Sequence, residues 1–154
     1  MELAHLLTPG AIRVCNAVKS KKRLFQDLAE TAAAAHGLDE SVAIDALQER
    51  ESLGPTGVGH GVALPHARID GIERVRGVFI RLDRPLDYGS VDRAPVDLVF
   101  ALFAPRDAGV EHLKALALVS RTLRDPAVCA KLRANEETDK LFAILTQQTD
   151  TKAA

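Results

Sequence analysis

The chain has 154 residues, 47% of them hydrophobic and 4% aromatic with no tryptophan, which suits one domain whose core is built from Leu, Val, Ala and Ile. Its 20 basic and 21 acidic residues leave a net charge of −1, which excludes a global basic field for nucleic acid or an anionic membrane surface. No run is apolar and long enough to span a bilayer, and the N-terminus, MELAHLLTPG, lacks the basic segment of a secretory signal. Cys15 and Cys129 share no metal-ligand spacing, so the expectation is a cytoplasmic protein with both thiols reduced and mostly buried.

The first predicted helix lies in VKSKKRLFQDLAETAAAAHG. Leu24, Leu28, Thr31 and Ala32 fall at helical spacing, Ser20 can cap the start, and Gly37 can close the end. A second, LDESVAIDALQERE, starts at Asp39 as N-cap and carries the apolar face Ala43, Ala46, Leu47. After a glycine-rich loop, Val62–Leu64 reads as a short strand. Val75–Leu82 and Val96–Ala104 read as two more, rich in Val, Phe and Ile; the second is almost wholly apolar and so is expected at the centre of a sheet covered on both faces. VEHLKALALVSRTLR is a third helix, with Leu113, Leu116, Ala117, Ser120 and Leu123 as its apolar stripe, broken by Asp125-Pro126. Two shorter helices, Pro126–Arg133 and Glu137–Gln147, precede a tail, about 149–154, expected to fray. Helices alternate with strands and no linker or repeat intervenes, so the expected fold is α/β: a single domain, 1–154, with helices flanking a mixed β-sheet.

The stretch GPTGVGHGVALPHAR, Gly54–Arg68, is where this pattern becomes unusual. Its G-x-G-x-G spacing precedes a strand, whereas a dinucleotide fingerprint follows one; the Gly-Lys-Ser/Thr of a phosphate-binding loop is missing. The glycines by themselves imply unusual dihedrals and close backbone approach. Pro65 fixes its own φ, keeps Leu64 extended and cannot donate to a ladder, so the strand is expected to end there with His66 at its lip. Arg50 continues the apolar face of the second helix just before this loop. An arginine so placed either snorkels or is aimed at an anion, and it can reach the same pocket as His66. His112, near the start of the third helix, reads from position alone as a surface histidine. If it faces a site, the positive helix end keeps its imidazole neutral.

Three chemistries compete for this set. A metal site would draw on His60, His66 and His112, but acidic partners at ligand spacing are missing. A serine or cysteine hydrolase would need a nucleophile elbow, which is absent. In the third reading His66 is itself the nucleophile. A neutral imidazole can attack phosphorus, while Arg50, His112 and backbone N–H groups of the glycine loop hold the phosphoryl oxygens.

RESLGPTGVGHGVALPHARID resembles the active-site segment of the enzyme IIA domains of the bacterial phosphotransferase system, fructose/mannitol class. KKRLFQDLAE, ALQERESLG, PVDLVFALFAP, EHLKALALVSRTLRD and KLRA follow in the family's order, and the likeness is greatest to the nitrogen-branch type of enzyme IIA. The resemblance implies a phosphotransferase enzyme IIA-like fold. It implies that His66 accepts a phosphoryl group on its tele nitrogen, with Arg50 and His112 as the active-site arginine and second histidine, and that no cofactor or metal takes part. It further implies an HPr-like carrier of the nitrogen branch as donor, and regulatory target proteins, potassium transport and sensor kinases among the candidates; neither nucleic acid nor membrane insertion is implied. The chain carries no IIB-like cysteine motif and no membrane span, which favours a regulator over the alternative, a sugar-specific enzyme IIA that passes phosphate to a IIB domain. Two positions depart from the family pattern. Ala67 stands where glycine is frequent, and would be strained if that site needs a positive φ. His60 stands where a small polar residue is usual, and its default reading is a solvated loop residue.

Overall fold

Ser20 and Asp39 start the first two helices in the way their side chains predict. In the computed structural model, Ser20 Oγ accepts from the Arg23 N–H at 3.1 Å to open α1 (Lys21–His36), and Asp39 Oδ1 accepts from the Val42 N–H at 3.0 Å to open α2 (Glu40–Leu53). Gly37 closes α1 in the left-handed region at φ 72°. The structure describes the backbone of residues 1–153 and side chains through Gln147; the side chains of the tail expected to fray, about 149–154, lie outside the described residues. Two short 3₁₀ turns, Leu3–His5 and Pro9–Ala11, lead into β1 (Ile12–Cys15), a strand too short to announce itself in the sequence.

The remaining strands are β2 (Gly57–Gly59), β3 (Val62–Ala63), β4 (His66–Ile69), β5 (Arg76–Leu86) and β6 (Val96–Pro105). They form a mixed sheet in the order β1-β5-β6-β3-β2, with β4 also on β6. As expected, the apolar run at residues 96–105 is the hub: it is antiparallel to β5, parallel to β3 and β4, and buried at every position except Asp97. Phe79, Phe100 and Phe103 are wholly buried around it, and each contributes about 1.5–3 kcal/mol by leaving water. Three further helices, α3 (Val110–Leu123), α4 (Pro126–Arg133) and α5 (Thr138–Ala153), complete the single α/β layer arrangement. Among the described residues, no helix is long and apolar enough to cross a membrane.

Two expectations are corrected. The strand does end before Pro65, at Ala63, but His66 does not sit at an open lip, because it starts a new strand. Val62 and Ala63 pair with Leu98 and Val99, and His66 and Ala67 pair with Leu102 and Phe103, so β3 and β4 are one line interrupted at Leu64-Pro65. Proline lacks the N–H that the ladder would use, yet its carbonyl still accepts from the Leu102 N–H at 3.0 Å, so the line resumes at once. The second correction concerns α3. Its buried face is His112, Ala115, Leu118, Val119, Thr122 and Leu123, whereas Leu113 is 64% exposed. This helix has leucine or alanine on more than one face, so periodicity alone could not choose which one packs inward.

Candidate functional site

His66 opens β4, directly after the interruption, and that position sets its ring. The Leu64 carbonyl, freed from the ladder by the turn, lies 2.8 Å from His66 Nδ1. A carbonyl can only accept, so Nδ1 carries the proton in the neutral ring and the lone pair sits on Nε2. The ring is half-buried, and burial holds its pKa below the usual histidine value; the Arg50 charge pushes the same way, against the Leu64 bond and the Glu51 carboxylate, which oppose it. At neutral pH His66 therefore presents an unprotonated Nε2, the form that can act as a nucleophile.

Across from it stands His112, with ring centroids 5.6 Å apart and planes tilted by 48°. Position had favoured a surface histidine; instead its side chain belongs to the buried face of α3, with the residue only 5% exposed. Burial first, then the neighbouring His66 and Arg68, push its pKa down to about 4. It is neutral at pH 7, as anticipated for a histidine facing a site from a helix start. Its Nδ1 is buried without a partner. A bare lone pair there costs less than an orphaned N–H, so the ring proton belongs on Nε2, which makes that nitrogen a neutral donor.

Arg50 completes the group from the last turn of α2. Its Nη1 donates to the Gly54 carbonyl at 2.9 Å, which spends one donor and fixes the plane of the fork. His66, His112 and Arg50 thus line one cleft of about 710 Å³, together with Arg68, Arg106, Asp45 and Glu49. Exposed Val42, Leu53 and Leu113 form an apolar rim around it. The sequence reading brought these three site residues together but placed Leu113 on the inner stripe of α3 instead of on the rim. Among the described residues no three His, Cys, Asp or Glu side chains gather where they could hold a metal ion.

The glycines do not contribute to this cleft, which corrects the expectation that their N–H groups face a phosphate there. Gly57 opens β2 and Gly61 lies in the turn between β2 and β3, and both serve close packing. A Cβ on Gly57 would strike Ser90, 2.1 Å from its Oγ. Gly61, at φ 80°, leaves no room beside the ion pair of Arg133 and Asp97; a Cβ there would lie 2.5 Å from Arg133 Nη2. His60 at the hairpin tip is exposed, with its N–H on Asp92 at 2.9 Å and its carbonyl on Arg133. Ala67 lies in β4 without a positive φ, so alanine after the histidine is unstrained. Sequence reasoning also missed Glu51, Thr56 and Tyr88, a hydrogen-bonded group behind Arg50; its members are far apart in the chain and match no motif.

A family model described as "Phosphoenolpyruvate-dependent sugar phosphotransferase system, EIIA 2" matches residues 5–148. The nitrogen regulatory protein of Bradyrhizobium diazoefficiens is 46% identical over 145 residues, covering 94% of this chain and 95% of its own length. Among solved structures, the nitrogen regulatory protein IIA-Ntr of Neisseria meningitidis superposes with a TM-score of 0.86 at 33% identity, covering 94% of this chain and 99% of that one. The mannitol IIA of Escherichia coli, at 21% identity and a TM-score of 0.76, shares the fold over 90% of this chain and 98% of its own.

Proposed function

The chain belongs to the EIIA 2 family of the phosphoenolpyruvate-dependent sugar phosphotransferase system, and from that premise we propose that His66 accepts a phosphoryl group on Nε2 from the phosphohistidine of an HPr-like carrier and that the modified chain acts as a nitrogen-branch regulator. The observation that carries this reading is the Nδ1 contact to the Leu64 carbonyl, which leaves the lone pair on Nε2 in a cleft shared with Arg50 and His112. In the transfer, a bond forms between Nε2 and phosphorus while the phosphorus–nitrogen bond of the carrier breaks. The carrier's ring, protonated on its other nitrogen, takes the electron pair and leaves as neutral imidazole. His66 becomes a phosphorylated imidazolium whose Nδ1–H stays on the Leu64 carbonyl. Arg50 offers its remaining guanidinium donors to the phosphoryl oxygens, and His112 offers a neutral N–H that forms no competing ion pair.

Phosphorylation adds nearly two negative charges inside an apolar rim. A partner that buries Leu53 or Leu113 must then bury that charge too, so regulatory targets bind the unmodified form more tightly. The nitrogen regulatory proteins among the relatives, at 46% and 33% identity over nearly the whole chain, support this purpose over delivery of phosphate to a sugar-specific IIB domain. The test is incubation with phosphoenolpyruvate, enzyme I and the carrier, followed by intact mass. Wild type is expected to gain one acid-labile phosphoryl group of ~80 Da and the His66→Ala variant none. Full labelling of His66→Ala would refute the assignment. Quantitative passage of the label to a IIB domain, with equal capture of partners by both forms, would replace the regulator with the sugar-branch carrier.

A further inference from the structure

The side chain of Glu51 is only 8% exposed, and its carboxylate accepts four hydrogen bonds. Thr56 donates twice, from its N–H at 3.0 Å and from its hydroxyl at 2.5 Å; Lys21 Nζ donates at 2.9 Å and the Tyr88 hydroxyl at 3.2 Å. Burial alone would push this carboxyl up, but the bonds from Thr56 and Lys21 outweigh it and hold the group below the usual carboxylate range. Lys21 also lies over the Tyr88 ring, 4.2 Å from its centroid, and Tyr88 approaches the Thr56 hydroxyl at 2.7 Å. Four residues from α1, α2, the glycine loop and the β5–β6 connection therefore meet at one charge. None of them lines the cleft of His66.

Two short chains of hydrogen bonds lead from that charge to the cleft. Along the first, the Thr56 carbonyl accepts from the Leu64 N–H at 2.9 Å, and the Leu64 carbonyl holds His66 Nδ1 at 2.8 Å. Along the second, Glu51 closes the end of α2 upon itself: its backbone carbonyl accepts from the Gly54 N–H at 3.2 Å while its side chain pins Thr56 two residues further on. Gly54 is held between these two anchors, and its carbonyl is the group that fixes Arg50. His66 is thus tied to the Glu51 carboxylate through Thr56 and Leu64, and Arg50 to Gly54, which lies between the Glu51 backbone carbonyl and the Thr56 held by that carboxylate. A carboxylate this well satisfied keeps its geometry, because each lost bond would leave a buried polar group unpaired.

We propose that Glu51, acting through Thr56, is the positioning residue of this site, setting the orientation and tautomer of His66 and the plane of Arg50 together. The inference rests on His66 being the phosphoryl acceptor, but its direct readout does not. Purely structural stapling of α1 to α2 would leave the ring of His66 unchanged so long as the protein stays folded. Positioning would not. The experiment compares wild type with Thr56→Val and Thr56→Ser, reading the ¹⁵N shifts of the His66 ring and the rate of phosphoryl uptake against carrier concentration. In wild type the proton is expected on Nδ1. Thr56→Val is expected to move the ring toward a mixture of tautomers and to slow uptake roughly ten-fold at saturating carrier, with the half-saturating carrier concentration unchanged. Thr56→Ser, which restores the hydroxyl, is expected to return both to wild-type behaviour.

A folded Thr56→Val protein with the wild-type tautomer and rate would overturn the proposal. If Thr56→Val fails to fold, Glu51→Gln sets an amide N–H₂ among donors that now meet a carboxylate oxygen, and an unchanged His66 ring in that variant would overturn it equally. Wild type that takes up no phosphoryl group would instead refute the functional reading, while its ring shifts would still decide whether Glu51 positions His66.

Discussion

Arg50 and Lys would carry the same charge at residue 50, but only the guanidinium can hold the Gly54 carbonyl with one nitrogen and leave a planar pair of donors for an anion. Arg50→Lys is therefore expected to fold normally and to accept phosphate ten- to hundred-fold more slowly, the equivalent of about 1.5–3 kcal/mol of charge-assisted bonding. A transfer rate equal to wild type in the folded variant would return Arg50 to a snorkelling side chain. His112 makes a prediction of a different kind. Its pKa of about 4 lies below the ordinary value of 6.5, so the unfolded chain takes up a proton before the folded one as pH falls. The stability gained from a neutral His112 is intact above about pH 6.5 and is lost as pH falls toward about 4. Between pH 7 and pH 5 the loss amounts to about 2 kcal/mol from this residue. Urea unfolding at both pH values is expected to show a smaller drop for His112→Gln than for wild type; equal drops would contradict the burial argument.

At the scale of elements, local chemistry was legible and choice of face was not. Ser20, Gly37, Asp39 and Asp125-Pro126 marked helix ends because capping depends on neighbours within a few residues. The run 96–105 announced a central strand because only a strand buried on both faces can be apolar at nearly every position. The proximity of His66, Arg50 and His112 was also legible, largely because the motif that contains two of them resembled a known active-site segment. What failed depended on distant partners. The glycines were assigned to the cleft, whereas Gly57 and Gly61 answer to Ser90, Asp97 and Arg133, far along the chain. The stripe of α3 was turned inward, whereas the buried face is that of His112, Ala115 and Val119, leaving Leu113 outside. That error bears on the proposed function, in which an exposed leucine lining the same cleft as His66 would meet the docking carrier. Leu113→Asp is expected to change stability by no more than about 0.5 kcal/mol, as an exposed position allows, while raising the half-saturating carrier concentration about ten-fold. Unchanged carrier dependence would remove the apolar rim from the docking surface.

For the whole molecule, the arrangement joins a rigid sheet to a changeable charge. β6 anchors β3 and β4, and through them the interruption at Leu64-Pro65 that presents His66; α2 and α3 pack around that point and supply Arg50 and His112. On the proposed function, the switch is one of surface potential: a cleft with an apolar rim in one state, the same cleft holding a dianion in the other. The central claim is that this dianion resides on Nε2 of His66. Long-range ¹H–¹⁵N spectra of the phosphorylated chain, with ³¹P coupling read at each ring nitrogen, test it most directly. Phosphorus is expected on Nε2 of His66, with the proton retained on Nδ1 against the Leu64 carbonyl and both nitrogens of His112 unmodified. Phosphorus on Nδ1 of His66, or on either nitrogen of His112, would contradict it.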